Sequence, residues 1–279
     1  VRATVRDINQ RFWNSKSIPH LTIRTTYNST QSYKAHYHSE LSIGLIESGS
    51  TCLSMPEEQI ILDKGDIVII EPNMVHACNP VNDIPRSYHM LYVDNDWCCE
   101  MLSALYGYEV TQFRCDQYKL DQQDIGTQLS ALVSTLSAQG AQNVASELDA
   151  HLLNLLSNFC SPQREAENSD ELASKLKHRL LRDIAQPSPL DIMSKELGRS
   201  KESLIRNFKN HFGITPKSFL NNNRVEKAKL LLKSGMNIVD VATEVGFSDQ
   251  SQLHRAFVNY TASTPRQYQQ MTSIFDNNL

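Results

Sequence analysis

Residues 190–219 read LDIMSKELGRSKESLIRNFKNHFGITPKSF, and residues 238–268 read IVDVATEVGFSDQSQLHRAFVNYTASTPRQY. These are one unit written twice, a repeat that takes precedence over local detail. Leu190, Met193, Leu197, Gly198 and Ser200 align with Ile238, Val241, Val245, Gly246 and Ser248. After a one-residue slip, Leu204, Arg206, Phe208, Pro216 and Phe219 align with Leu253, Arg255, Phe257, Pro265 and Tyr268. Apolar residues three and four apart give a short first helix. A glycine then closes it in the left-handed conformation, and Ser200 or Ser248 caps the second helix.

Each unit therefore reads as a helix-turn-helix. Leu204 and Phe208, or Leu253 and Phe257, face the core. Lys201, Glu202, Ile205 and Arg206 face outward in the first unit, and Gln250, Ser251, His254 and Arg255 in the second. A helix of this kind fits the DNA major groove, where Arg suits guanine and Gln suits adenine. Thr215-Pro216 opens the joining helix, Pro being favoured in a first turn. The basic, amphipathic run Lys217–Lys233 has seventeen residues, which span roughly 25 Å as a helix. Successive major grooves on one side of a duplex lie ~34 Å apart, so this rod could carry two recognition helices to adjacent grooves.

The run Gly246-Phe247-Ser248-Asp249, then Leu253-His254-Arg255-Ala256-Phe257, then Thr264-Pro265-Arg266-Gln267-Tyr268 resembles the signature of the AraC/XylS family of bacterial transcription regulators. Arg224, Ala228, Leu231 and Leu232 on the joining helix fit the same pattern. Ser194 stands where the family usually has Ala, Ala262 replaces a usual Gly, and Val258 and Asn259 replace usual basic residues. The resemblance implies a sequence-specific transcriptional regulator, more often an activator. It also implies double-stranded DNA, a small-molecule effector and RNA polymerase as partners, a homodimer, and a bacterial cytoplasmic location.

Charge distribution agrees. The net charge is −4, but residues 1–165 carry −8 and residues 166–279 carry +4. A basic C-terminal part on an acidic chain is the footprint of a localised DNA surface. The six cysteines, Cys52, Cys78, Cys98, Cys99, Cys115 and Cys160, form no C-x-x-C pair and read as reduced thiols. No apolar run approaches eighteen residues, so no membrane span is expected.

Residues 1–17 read as a polar lead-in. From Ile18 to Val93 the pattern is β, with alternating runs at His20–Tyr27, Ala35–Glu47, Thr51–Met55, Ile67–Ile70 and Tyr88–Val93 separated by turn signals. Many short strands with such turns suggest a sandwich or jelly-roll barrel. The segment Leu62-Asp63-Lys64-Gly65-Asp66 with Ile69, Pro72, His76 and Asn79 resembles the cupin-type sensor common in AraC/XylS regulators. His36-Tyr37-His38-Ser39-Glu40 resembles a shortened first cupin metal motif. Residues two apart on a strand share a face. His36, His38 and Glu40 would then point one way, with His76 arriving from the opposing sheet. Two His and a carboxylate suit non-haem iron, and three or four such groups suit zinc.

Three readings of that cluster stay open: a divalent metal at His36, His38, Glu40 and His76; a metal-free effector pocket using these residues and Tyr88; and no binding role. His89, Tyr92 and Trp97 could line the same pocket or serve as core. A metal-dependent cupin enzyme is the competing function, and a regulator whose signal is the metal itself is a variant of the first. The helical runs Trp97–Tyr106, Asp121–Ala138 and Val144–Phe159 carry apolar stripes that pack on the barrel or form a dimer seam.

The expected architecture is a two-domain α+β chain. Residues 1–160 form a cupin-like sensing and dimerisation domain with a helical hairpin, and residues 161–170 a linker. Residues 171–279 form an all-α DNA-binding domain with two helix-turn-helix motifs joined by a long helix.

Overall fold

The computed structural model describes residues 9–120, 123–139, 144–163 and 170–271. Most of the expected linker, residues 164–169, lies outside these ranges. The sensor opens with β1 (Asn9–Ser15), β2 (Ile18–Ser29), β3 (Leu41–Ser48), β4 (Thr51–Ser54), β5 (Gln59–Leu62), β6 (Ile67–Ile70), β7 (Ala77–Pro80) and β8 (Arg86–Val93). There follow α1 (Asn95–Tyr106), β9 (Phe113–Cys115), β10 (Lys119–Leu120), α2 (Gln123–Gln139), α3 (Ala145–Phe159) and β11 (Cys160–Pro162). A six-stranded sheet runs β1-β2-β8-β3-β6-β10, and a three-stranded sheet runs β5-β4-β7.

Strand alternation divides the sensor into two apolar layers. Leu21, Ile23, Leu41, Ile43, Leu45, Leu91 and Val93 face the helices, packing with Cys98, Leu102, Leu129, Val133, Leu148, Leu152 and Leu155. Ile46, Leu53, Leu62, Val68, Ile70 and Tyr88 fill the space between the two sheets. The apolar stripes of α2 and α3, at Leu129, Leu132, Val133, Leu148, Leu152, Leu155 and Leu156, are thus buried against the sheet and each other. All six cysteines are free, and burial pushes the Cys98 and Cys99 thiols up, which keeps them protonated.

Three expectations need correction. Residues 9–15 are not lead-in; they pair with β2 from Asn9↔Tyr27 to Ser15↔Ile18. The run Ala35–Glu47 is a strand only from Leu41, because residues 30–40 bend, with a single bridge at His36. Cys160–Pro162 is a strand on β9, so the sensor extends slightly into the expected linker.

The C-terminal part comprises α4 (Glu171–Arg182), α5 (Leu190–Glu196), α6 (Lys201–Phe212), α7 (Pro216–Lys233), α8 (Ile238–Glu244), α9 (Gln250–Thr261) and α10 (Pro265–Met271). Asp170 caps α4, Thr215 caps α7 and Ser200 caps α6, each accepting from a backbone N–H in the first turn. The cap of α9 is Asp249 rather than Ser248: its carboxylate accepts from Gln252 N at 2.7 Å, while Ser248 donates its hydroxyl to Asp249. An ionised cap is also favoured by the helix dipole. Arg224 on α7 donates to the carbonyls of Ile184 (2.7 Å) and Ala185 (3.0 Å) and lies over the Phe247 ring. It thereby ties the chain after α4 to the second unit.

The two units differ in what completes their cores. The second is closed by its own residues, including Val225, Val241, Val245, Leu253 and Phe257. The first, around Leu204, Phe208 and Phe219, takes in Tyr37 and Val75 of the sensor. Asn222, almost fully buried, holds Tyr37 by both main-chain groups: Tyr37 N donates to Asn222 Oδ1 (3.2 Å), and Asn222 Nδ2 donates to Tyr37 O (3.0 Å). Further links run from Arg24 to Thr261 O (2.7 Å) and from Lys34 N to Asn259 O (3.1 Å).

Two substitutions test this architecture. Gly198 and Gly246 have φ +63° and +88°, but a Cβ on Gly198 meets nothing while one on Gly246 would lie 2.2 Å from Ala185 O. Gly198→Ala should cost about 1–2 kcal/mol. Gly246→Ala should cost about 2–5 kcal/mol, because backbone must also move. Equal urea midpoints for the two variants would contradict this packing. Asn222→Ala strands two buried main-chain groups, each worth about 1–3 kcal/mol. It should lower the unfolding midpoint more than Asn223→Ala, which removes bonds from a part-buried amide to the Tyr37 hydroxyl and to Phe219 O, the carbonyl one turn back on the same helix.

Candidate effector site and nucleic-acid interface

The sensor's polar site is built around the bend before β3. His36 N donates to His76 O (2.9 Å) and His76 N donates to His36 O (2.8 Å), an antiparallel bridge that puts the two rings side by side. Their centroids are 4.7 Å apart. Asn73 N donates to His38 O (2.7 Å), which fixes the third histidine. All three rings are buried. Burial, followed by the neighbouring imidazole of His76, holds the His36 pKa well below its ordinary value. Burial, followed by Lys229, does the same at His38, and burial lowers His76. Burial thus favours the neutral imidazole at all three.

Their tautomers are partly fixed by geometry. His36 Nδ1 is 2.7 Å from Lys34 O, and His76 Nδ1 is 2.9 Å from Met74 O. A carbonyl only accepts, so both Nδ1 atoms carry the proton and both Nε2 atoms present lone pairs. His38 Nε2 lies 3.2 Å from His36 Nε2, and His38 Nδ1, buried with no hydrogen-bond partner, is 3.8 Å from Glu226 Oε1 on α7.

Glu40 does not join this trio, contrary to the metal set expected from the sequence. The chain is not a strand at 36–40, so strict alternation fails. Glu40 accepts from the Ser39 hydroxyl and groups instead with His38 and Glu226. Leu41, Ile43 and Leu45 face the helical layer, which leaves the histidines on the cavity side.

Two connected spaces meet at His36, His38, Tyr33 and Tyr92. The outer one, about 110 Å³, lies between the domains. Its sensor wall includes Arg24, Glu40 and Tyr92, and its other wall includes Glu226, Lys229 and Tyr268. Lys229 pairs with Glu226 at 2.8 Å. Burial opposes its charge, but Glu226 and Glu40 outweigh burial and hold its pKa above the ordinary lysine value. The inner space, about 30 Å³ between the sheets, is lined by His76, Arg86 and Tyr88 among others. Each expected effector residue, His36, His38, Glu40, His76 and Tyr88, lines one space or the other. His89 instead faces the opposite side of β8, its Nδ1 2.8 Å from the Thr25 hydroxyl, and Trp97 stacks on His20.

Arg24, Tyr33, Arg86, Glu226 and Lys229 were missed as site residues. Arg24 had a signal: a charge alternating with Leu21 and Ile23 on β2 marks a polar inner face. Glu226 and Lys229 had none, because on an isolated amphipathic helix they read as solvated surface.

On the recognition helices, Leu204, Phe208, Leu253 and Phe257 are buried. Glu202, Ile205, Arg206, Gln250, Ser251 and Arg255 project to solvent. Lys201 and His254 are half-buried, and Lys201 pairs with Asp191 at 2.6 Å. The joining helix α7 has 18 residues, or roughly 27 Å. No helix among the described residues is long and apolar enough to cross a membrane.

Comparison with known proteins agrees with this geometry. Residues 19–156 match the AraC-like ligand binding domain, and residues 193–271 match a helix-turn-helix domain family. The chain is 28% identical over 226 residues to an uncharacterized HTH-type transcriptional regulator, YbfI, of Bacillus subtilis (strain 168), covering 80% of this chain and 82% of that one. It is 24% identical over 258 residues to the HTH-type transcriptional activator RhaR of Escherichia coli (strain K12), covering 88% and 89%. Among solved structures, ToxT from Vibrio cholerae O395 superposes with a TM-score of 0.56 at 15% identity, covering 91% of this chain and 99% of that one. Wild-type ToxT from Vibrio cholerae strain SCE256, with an unsaturated fatty acid bound, gives 0.57 at 16%, covering 94% and 98%. At such identity the likeness establishes the fold: a β-rich sensor followed by a helical DNA-binding part. Both halves match a regulator, so the cupin-enzyme reading is set aside. The chain belongs to the AraC family of helix-turn-helix transcriptional regulators, and it is a DNA-binding regulator with a ligand-binding domain rather than an enzyme.

Proposed function

We propose that this regulator is an activator whose effector is a small organic acid bound between the sensor and the joining helix α7. The observation that carries the reading is the shared cavity. Its walls belong to both domains, so an occupant touches the sensor and the DNA-reading rod at once. Arg24, Lys229 and Lys233 outnumber Glu40 and Glu226 there, which favours an acidic group, while Phe12, Tyr33 and Tyr92 supply apolar surface. A fatty acid bound by ToxT and the activator RhaR support the same direction.

Base contacts come from Glu202, Ile205, Arg206, Gln250, Ser251 and Arg255, with Lys201 and His254 at the margins. Glu202 approaches cytosine and Gln250 adenine, as their donor and acceptor patterns require. The family resemblance adds a homodimer on DNA and contact with RNA polymerase.

Arg206→Ala and Arg255→Ala should each cost about 1–3 kcal/mol of specific binding with unfolding midpoints unchanged. Gel-shift titration on the promoter at fixed salt tests this, and wild-type affinity in both would remove these arginines from the interface. For the effector, a thermal-shift screen of organic acids that includes a monounsaturated fatty acid should raise the wild-type Tm and leave Lys229→Met unmoved. No shift in wild type, or equal shifts in both proteins, would rule out the acid-binding cavity.

A further inference from the structure

The cluster of His36, His38 and His76 carries a problem that neither neutral tautomer of His38 solves. The Nε2 atoms of His36 and His76 are lone pairs, because each ring's Nδ1–H is committed to a main-chain carbonyl. If His38 is protonated on Nδ1, its Nε2 lone pair faces that of His36 at 3.2 Å. If it is protonated on Nε2, it satisfies His36 but turns a bare, buried Nδ1 lone pair toward the Glu226 carboxylate at 3.8 Å. Either choice leaves two electron-rich atoms opposed in a buried site, and buried polar groups left so are costly.

A cation among the three Nε2 atoms removes the conflict. The candidate ligand atoms of His36, His38 and His76 all lie within 4.8 Å of one another. Two nitrogens bound ~2.0–2.1 Å from one tetrahedral zinc lie roughly 3.3 Å apart, close to the His36–His38 separation of 3.2 Å. Metal-bound imidazoles characteristically give their other N–H to a carbonyl or carboxylate. Lys34 O, Met74 O and the Glu226 carboxylate stand in those places.

We propose that His36, His38 and His76 hold one divalent transition metal of the zinc class through their Nε2 atoms. Glu40 is outside the set, so the site is three-nitrogen rather than the two-His, one-carboxylate type used for non-haem iron. Three protein ligands leave zinc's usual fourth position to a non-protein group. The site also bears on the domain contact. Tyr37, between two of the ligands, is buried in the core of the first helix-turn-helix unit, and Glu226, whose carboxylate lies 3.8 Å from His38 Nδ1, belongs to α7. Metal binding and domain docking therefore favour each other. This goes beyond the organic-acid effector and does not depend on it.

The full-length protein, stripped with chelator and desalted, would be titrated with zinc and with cobalt. Wild type should retain one equivalent of zinc after desalting, measured by elemental analysis. Cobalt should give visible d–d bands that saturate at one equivalent, without the near-ultraviolet band of a cobalt–thiolate bond. His76→Ala should lose the bound metal, Glu40→Gln should keep it, and Glu226→Gln should bind about tenfold or more weaker. The cobalt spectrum is read on wild type and stands even if His76→Ala fails to fold. Failure of wild type to retain zinc, a thiolate band, full binding by a folded His76→Ala, or unchanged affinity in Glu226→Gln would overturn the proposal.

Discussion

Asn222 meets both main-chain groups of Tyr37, and that reciprocal pair fixes which way a short irregular segment faces. In extended chain, neighbouring side chains point to opposite sides. Once Tyr37 is committed to the core of the first helix-turn-helix unit, His36 and His38 must turn the other way, toward the cavity and His76. The side chain that joins the domains and the side chains that form the polar site are therefore consecutive residues. Neither can be repositioned without the other. The alternation that fails at Glu40 still holds over these three residues.

The two helix-turn-helix units are similar in sequence and unequal in attachment. The second has a complete core of its own, whereas the first is completed by Tyr37 and Val75 from the sensor. The second is held through main-chain carbonyls at its C-terminal edge, those of Asn259, Thr261 and Ala262, and by the Phe12 ring of β1, which packs edge-on to Tyr268. Ala262 stands where the family usually has glycine. It closes α9 in the left-handed conformation with φ 49°, and the family preference there reflects the absence of a Cβ penalty in glycine. A change in the sensor therefore reaches the first unit through Tyr37 and Val75 and the second through these carbonyls and the Phe12–Tyr268 contact. Helix α7, which borders the cavity, connects them.

Much of this was legible in the chain. The repeat gave both recognition helices because glycine turns, caps and apolar spacing are local constraints. The strands of the sensor followed from period-two patterning. Beyond that, legibility failed where the cause was tertiary. β1 (Asn9–Ser15) is an edge strand with few apolar residues, and only its pairing with β2 makes it a strand. Ser248 and Asp249 are both good cap residues, and the choice between them depends on where the turn ends. Glu226 and Lys229 look like ordinary surface charges until the barrel is placed over them. The histidines were visible as a cluster, but the strand assumed at 36–40 wrongly included Glu40.

The energetics of the domain contact suit a switch. Moving a two-state equilibrium from 1:99 to 99:1 requires about 5.5 kcal/mol of differential binding. A net hydrogen bond contributes about 0.5–1.5 kcal/mol, so the Tyr37–Asn222 pair with the bonds from Arg24 and Lys34 amounts to about 2–6 kcal/mol. A contact of that size is strong enough to hold one arrangement and weak enough for one ligand to outweigh or reinforce. Lys229 sits where that decision is made. It already carries the charge of Glu226 and lies near Glu40, so an acidic occupant must compete for its ammonium. In the proposed binding mode that competition would loosen Glu226, the carboxylate facing His38 from the other domain, and so alter the contact between the sensor and the joining helix α7 from its centre.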